Sequence, residues 1–495
     1  MFLNYLISQI DKSYSPKGFS NSEAINIQYD ILKNLLTKSK NTKFGIDHNF
    51  NKIDNYEKYK LNVPIRDYEN FKIYINHIRE GKEDITWSGR PLYFAKTSGT
   101  TSGTKFIPIT KKSLPNHINS AKHLMYNYYL KKKKIKPFLG KVMFLSGSPD
   151  LEEKNQIKIG RLSGIVNHHK PLLLKKKSLP NKKTNQIKNW EKKIDQIAEE
   201  TIGRDLRIIG GIPPWIQMFF DIIIEKTGKK INQIFPNLDL ICHGGVNFEP
   251  YKKNLFNSIG KEIDTLETFP ASEGFFAYQN DIDSEDLLLQ INSGIFYEFV
   301  EVNELKNKDP RRISIEDVKL DTNYALIISS NAGLWSYNIG DTIKFTNLNP
   351  FKIRVSGRTK QFISAFGEHV IVEDVEISLK ITCQKFREVE ITEYTVGPKI
   401  IGKRSKSHHE WLIEFKTPPK NMSEFEKELD KNMQKRNIYY KDLINDKVIS
   451  RLKVNQAKKK SFINFMKSIG KLGGQNKVPR ISNDNSIIEK IKKIN

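Results

Sequence analysis

The chain has 495 residues, more than one ordinary domain, so two or three domains are expected. Hydrophobic residues make up 38% and aromatics 11%, enough to fill substantial cores, which excludes wholesale disorder. The formal charge of +26 comes mostly from dispersed lysines among abundant asparagine and isoleucine, as an AT-rich genome would encode, and reads as solvated faces rather than a nucleic-acid or membrane interface.

The N-terminal "MFLNYLISQIDKSYSPK" reads as an amphipathic first helix: it lacks the basic leader and long apolar run of a signal peptide. Residues up to about Gly89 read mostly as helices, with Pro64 ending one. In "RPLYFAKTSGTTSGTKFIPIT" the apolar "LYFA" is a buried strand, the polar run a turn, and "FIPIT" a second strand. A helix then begins near Ser113, with Pro115 in its first turn, where a missing N–H is tolerated. "KVMFLSG" at Lys141–Gly147 is a further strand, and "DLRIIGGIPPWIQMFFDIIIEKTG" reads as strand, turn and a helix closing at Gly228. "LDLICHGGVNF" and "IDTLETFPASEG" are strands running into turns of small residues. Apolar strands without period-2 alternation, each followed by a turn and helix, predict α/β domains with buried sheets. From "YALIISSNAGLWSYNIGDTIKFTN" onward, β-branched residues and turns become denser, suggesting a smaller, more β-rich module. "EWLIEFKTP" is a strand and "MSEFEKELDKNMQKRN" an amphipathic helix. Cys242 and Cys383 show no metal or redox spacing, which suits a reduced, cytoplasmic setting. No stretch approaches the ~18 uninterrupted apolar residues of a membrane span.

Five stretches carry chemistry. In "KTSGTTSGTK", Lys96–Lys105, Gly99 and Gly103 would let backbone N–H groups converge on an anion, with hydroxyls and Lys105 beside them. A Ser/Thr-rich surface turn is the plainer account, and neither a Walker loop nor a dinucleotide fingerprint fits. Glu273 in "ETFPASEG" is a carboxylate able to hold Mg²⁺, unless Ser272 simply caps a helix. Asp341, in a predicted turn between two strands, could accept hydrogen bonds from a ribose diol or belong to an ordinary hairpin. Arg358 in "SGRTKQFI" and Lys477 in "GGQNKVPR" sit in basic loops that could equally be solvated.

Their order is more specific than any one of them. A Ser/Thr/Gly loop, a small-residue turn with a glutamate, Tyr-x-x-Gly-Asp, Gly-Arg and a C-terminal lysine resemble adenylate-forming enzymes, the superfamily of acyl-CoA synthetases and luciferases. More narrowly, "SGTTSGTKFIP", "GGVNFEPY", "PASEG", "AGLWSYNIGDTIKF", "SGRTKQFISAFGEHV" and "GGQNKVPR" look like bacterial members of the Gretchen Hagen acyl-acid amido synthetases. The loop's extra residue, Ser102, matches that family rather than the common superfamily spacing.

The resemblance implies an α/β fold with a large adenylate-forming domain over 1–357, a hinge at 358–361 and a smaller mobile α+β domain over 362–495. Ser98, Gly99, Thr100, Thr101 and Thr104 would cradle ATP phosphates, and Ala271 and Ser272 would lie beside the nucleotide. Glu273 would bind Mg²⁺, Asp341 would grip the ribose, and Arg358 would contact ribose or phosphate. Lys477 looks like the adenylation lysine. Trp215, Gly244, Gly245 and Val246 would line or support the acyl pocket, although the stretch around Trp215 suits plain helix packing equally. The implied partners are a small carboxylic acid and an amine of the amino-acid class, with no specific nucleic acid or membrane, on a monomer or weak oligomer. An acyl-CoA ligase sharing the first step is the alternative. His168, His169, His408 and His409 read as surface histidines, because "HHEWLIE" lacks the Asp and Gly of a condensation motif.

Overall fold

The computed structural model describes residues 14–100, 103–147, 149–170, 172–245, 248–305, 307, 309–358, 362–368, 370–401, 407–469 and 478–494. The expected N-terminal helix at Met1–Lys17 lies largely outside them. The early helices form as predicted. Asn21–Ser39 opens with a capping box on Ser20, and Tyr56–Asn62 stops just short of Pro64.

A twelve-stranded sheet is the backbone of the molecule. One half is parallel, running through Ser178–Leu179, Lys141–Phe144, Leu206–Gly210, Leu240–Gly244 and Asp264–Ala271. Its strands are apolar and helix-covered, as expected of a parallel sheet. The helix Pro213–Thr227 starts on two prolines, where missing N–H groups cost little, and ends just before Gly228. At Ala271 the chain turns sharply into Gly274–Gln279, and from there the sheet is antiparallel.

That half corrects one expectation. Asn323–Ser330, Tyr337–Leu348 and Phe351–Arg358 are not a separate β-rich module but central strands of the same sheet. Composition identified the strands; only long-range pairing decides which sheet they join.

After Phe362 a three-stranded sheet of Glu390–Lys399, His408–Thr417 and Lys453–Gln456 forms, flanked by the helices Val372–Lys385, Met422–Arg436 and Ile438–Asn445. The architecture is therefore α/β with a smaller α+β C-terminal part. Apolar residues of the parallel half, among them Ile209, Phe219 and Ile241, join Ile363, Phe366, Trp411 and Leu429 in one contiguous core. Among the described residues no helix is long and apolar enough to cross a membrane.

His409 overturns its surface assignment. It is fully buried, and its Nε2 lies 2.7 Å from Glu368 Oε1. It sits on a strand buried from His409 through Phe415, so a polar-looking "HHE" is carried into the core by its neighbours. His168 Nε2 meets the Pro149 carbonyl at 2.8 Å, and His169 meets the Tyr93 hydroxyl at 2.9 Å.

Candidate active site

The Ser/Thr/Gly run is a hairpin with a minimal tip. Tyr93–Thr100 pairs antiparallel with Gly103–Ile109, placing Thr97 opposite Lys105 and Thr100 opposite Gly103. β-Branched threonines favour extended backbone, so strand structure runs further into the polar stretch than its glycines suggest. Thr101 and Ser102 lie outside the described residues, as do the side chains of Ser98 and Thr100. Thr104 is half-buried on the second strand.

On its other edge the first strand pairs parallel with Ile157–Gly160, setting Ala95 opposite Gly160. Arg161, the next residue, therefore emerges beside Lys96 and Thr97 at the root of the loop.

The second motif is also a hairpin. Ala271 pairs with Gly274, leaving Ser272 and Glu273 as a two-residue turn rather than a helix cap. The helix Leu114–Lys132 clamps it: Asn116 Oδ1 accepts from the Phe275 N–H at 2.7 Å, and Asn116 Nδ2 donates to the Phe275 carbonyl at 3.1 Å. Glu273 is 9% exposed and close enough to bear on the ionisation of Tyr68 and Tyr439. Tyr68 reaches the Ser/Thr/Gly hairpin by accepting from the Phe106 N–H at 2.9 Å, with Lys105 Nζ 5.8 Å from its ring. The loop and the glutamate thus face one region.

Gly340 and Asp341 close no hairpin turn; they lie within the strand Tyr337–Leu348. The pairing jumps from Ala325–Thr342 to Ile327–Asn338, and Gly340 holds a φ of 90°, so the strand bulges. Only glycine adopts that conformation without strain, and a bulge re-aims the neighbouring side chain. Asp341 is buried and sits directly opposite Arg358. The two candidate ribose residues, 17 positions apart in sequence, are thus brought together by strand register. The Arg358 side chain, the hinge residues Thr359–Gln361 and Lys477 lie outside the described residues.

The acyl-pocket candidates divide. A Cβ on Gly244 would stand 2.3 Å from the Thr268 carbonyl oxygen, so this position must be glycine for two strands to close. Ile212 lies within about 4 Å of Cβ positions at both Gly245 and Gly367, so three turns converge there. Trp215 packs on Trp190 at 4.4 Å between ring centroids, which favours core packing for that residue. Val246 lies outside the described residues. His243, unsingled in the sequence, is buried, stacked on Phe248 at 4.0 Å, and pushed down to about 3 by burial, so it is neutral.

Sequence reasoning also missed the C-terminal contribution. Tyr439, on the helix Ile438–Asn445, donates to the Lys96 carbonyl at 3.1 Å and is hydrogen-bonded to the Thr97 side chain. Burial raises its ionisation above the ordinary tyrosine range. Arg161 lies 5.0 Å from its ring and donates from Nη2 to Asp442 at 2.5 Å. No periodicity links residues 281 positions apart.

Three family models match the chain in order: the GH3 family N-terminal domain over 20–184, the central domain over 288–358 and the C-terminal domain over 373–486. The chain belongs to the GH3 family. A curated relative, jasmonoyl–L-amino acid synthetase JAR4 of Nicotiana attenuata, is 20% identical over 390 residues, covering 65% of this chain and 67% of that protein. Among solved structures, AtGH3.15 acyl acid amido synthetase in complex with 2,4-DB superposes with a TM-score of 0.60 at 16% identity, covering 99% of this chain and 95% of that one. A 2-hydroxyisobutyryl-CoA ligase in complex with 2-HIB-AMP and CoA gives 0.62 at 10% identity, covering 98% and 97%. These superpositions establish the GH3 chain's fold as that of amide- and thioester-forming ligases.

Proposed function

We propose that this chain is an ATP-dependent acyl-acid amido synthetase. It activates a small carboxylic acid as acyl-AMP, releasing pyrophosphate, and then passes the acyl group to an amine of the amino-acid class, releasing AMP. GH3 membership over most of the chain supports the reaction class. The single structural observation that supports the site is Tyr68, whose hydroxyl accepts from Phe106 on the Ser/Thr/Gly hairpin and lies within electrostatic reach of Glu273 on the second hairpin.

A carboxylate and ATP are both anionic, so attack on the α-phosphorus needs positive charge held where negative charge develops. The backbone of residues 98–104 would cradle the phosphates, with hydroxyls of Ser98, Thr100, Thr101 and Thr104 as donors. Ala271 and Ser272 would lie against the nucleotide, and Asp341, re-aimed by the bulge at Gly340, would accept from the ribose diol with Arg358 beside it. Lys477 would supply the adenylation cation, and 358–361 would be the hinge between domains 1–357 and 362–495. Among the described residues no cluster of three metal ligands exists. Mg²⁺ is commonly held by one or two carboxylates together with substrate phosphates and waters, a role that Glu273 could fill. Bound at Glu273, it would neutralise phosphate charge during transfer. The amide step needs no acyl-enzyme, since the adenylate already carries a good leaving group.

ATP–pyrophosphate exchange across a panel of carboxylic acids tests this reading. Wild type should exchange with at least one acid, and Glu273→Ala should lose about 10²–10³-fold of it. Absence of exchange with every acid would sink the proposal. Supplying amino acids or CoA to the productive pair then separates amide from thioester formation.

A further inference from the structure

A cavity of about 230 Å³ lies between the N-terminal segment Tyr14–Phe19, the first turns of the helix Leu114–Lys132, the loop Leu288–Gly294 and Asn331. None of the residues assigned above to nucleotide, metal or acyl group lines it. It is smaller than the ~300–1,000 Å³ that drug-sized ligands fill, so its occupant is small. Among the described residues its lining carries one ammonium, Lys112, and no carboxylate. An anion is balanced there, whereas a ligand ammonium would be buried without a countercharge. The Asn331 Nδ2 donates to the Lys112 carbonyl at 3.1 Å, but its Oδ1 is buried with no hydrogen-bond partner. Such an acceptor is costly unless something donates to it. The residue is held firmly: its N–H donates to the Gly294 carbonyl at 3.1 Å, and its carbonyl accepts from the Thr110 hydroxyl at 2.7 Å. Gly294, at a φ of 75°, comes so close that a Cβ there would collide with the Asn331 amide. The stacked rings of Tyr14 and His123, 3.7 Å apart, form an aromatic side of the cavity. Asn116 lines it too, and also holds the backbone of Phe275, two residues past Glu273.

We propose that this cavity is a second binding site, for a small monocarboxylate that also carries a neutral N–H or O–H donor. The carboxylate meets Lys112 and the donor meets Asn331 Oδ1. N-acyl amino acids and hydroxy acids share that chemistry. The former are the product class of the reaction proposed above, so the site would sense product. That last point alone rests on the proposed reaction.

Calorimetry on the full chain without nucleotide tests the site, with N-acetylglycine and lactate as the two donor types. At least one should bind with a dissociation constant of roughly 1 mM or tighter. It should bind at least about 10-fold more tightly than acetate, which lacks the donor, and glycine, whose ammonium finds no carboxylate, should do no better than acetate. Which of the two probes binds names the source. Asn119→Asp places a carboxylate in the wall, and Lys122 Nζ, 3.2 Å from Asn119 Oδ1, keeps it paired and the fold intact. It should weaken binding at least about 10-fold through like-charge repulsion. Asn331→Leu should cost about as much, since the acceptor is gone. Lys112→Gln, at an exposed position, should cost about 3- to 5-fold. Failure of both probes to bind wild type overturns the site and leaves a cleft filled by water. Binding that survives both Asn119→Asp and Lys112→Gln overturns it too, because the ligand then sits elsewhere. Neither readout involves ATP, so both stand apart from the outcome of ATP–pyrophosphate exchange.

Discussion

Two arginine–carboxylate pairs bind distant parts of this chain, and they are built for opposite ends. Arg312 and Glu298 lie inside the large sheet, their side chains 6% and 0% exposed, with Nε 3.2 Å from Oε1. Glu298 also accepts from the Tyr56 hydroxyl at 3.2 Å and the Ser336 hydroxyl at 3.0 Å, while Arg312 donates to the Val63 carbonyl at 2.7 Å. Tyr59 extends the network through Ser329 and Ser336. Arg161 and Asp442 are closer together, yet each is more than a third exposed, and they join residues 281 positions apart. A short distance therefore says little about permanence. Desolvation and the number of other partners decide it: the sealed pair cannot open without stranding charge, whereas water can take over either end of the exposed one.

The sharpest test of this contrast is Glu298→Ala. It leaves the Arg312 guanidinium buried, with Tyr56 and Ser336 short of their acceptor. A loss of about 3–5 kcal/mol in unfolding free energy is expected, read by urea denaturation. A cost under about 1 kcal/mol would show that burial does not separate the two pairs.

Lys193 lies between these extremes and can be read with pH. Its Nζ is buried and donates to the carbonyls of Ser146 at 2.9 Å, Gly147 at 3.1 Å and Asn185 at 2.9 Å. Burial pushes it down to about 8 from the ordinary 10.5. The folded chain thus releases this proton before the unfolded one does, and stability due to Lys193 rises as pH climbs from about 8 towards 10.5. Lys193→Met should cost about 2–3 kcal/mol at pH 7, since three carbonyls lose their donor. The gap from wild type should widen by about 1 kcal/mol per pH unit above 8. A gap that stays flat would mean that the ammonium remains charged throughout.

Local chemistry made much of the fold legible. Pro64, Pro115 and Gly228 punctuate helices where single residues dictate backbone behaviour, and apolar runs without alternation marked the parallel strands. Motif order, rather than any one motif, carried the family. What escaped is set by pairing at a distance. The strands Asn323–Ser330 and Tyr337–Leu348 look the same whether they begin a new module or continue an old sheet. The bulge at Gly340 needs the register of a neighbouring strand to be seen. His409 is buried by its neighbours' packing, not by its own character. Tyr439 and Asp442 follow an amphipathic helix and resemble any polar stretch until the fold sets them beside Lys96 and Arg161.

The smallest expected effect is the one that most sharpens the comparison. Asp442 is partly desolvated, and burial raises its ionisation despite the opposing pull of Arg161. Part of what the ion pair contributes is thus spent on desolvation, and solvent screens the remainder. Asp442→Asn should change unfolding free energy by less than about 1 kcal/mol in dilute buffer, and by still less near 0.5 M NaCl, where the Debye length shrinks to a few ångströms. Glu298→Ala, sealed from ions, should keep its full cost at either salt concentration. If Asp442→Asn instead matched Glu298→Ala in size and ignored salt, the helix Ile438–Asn445 would be a fixed part of the structure.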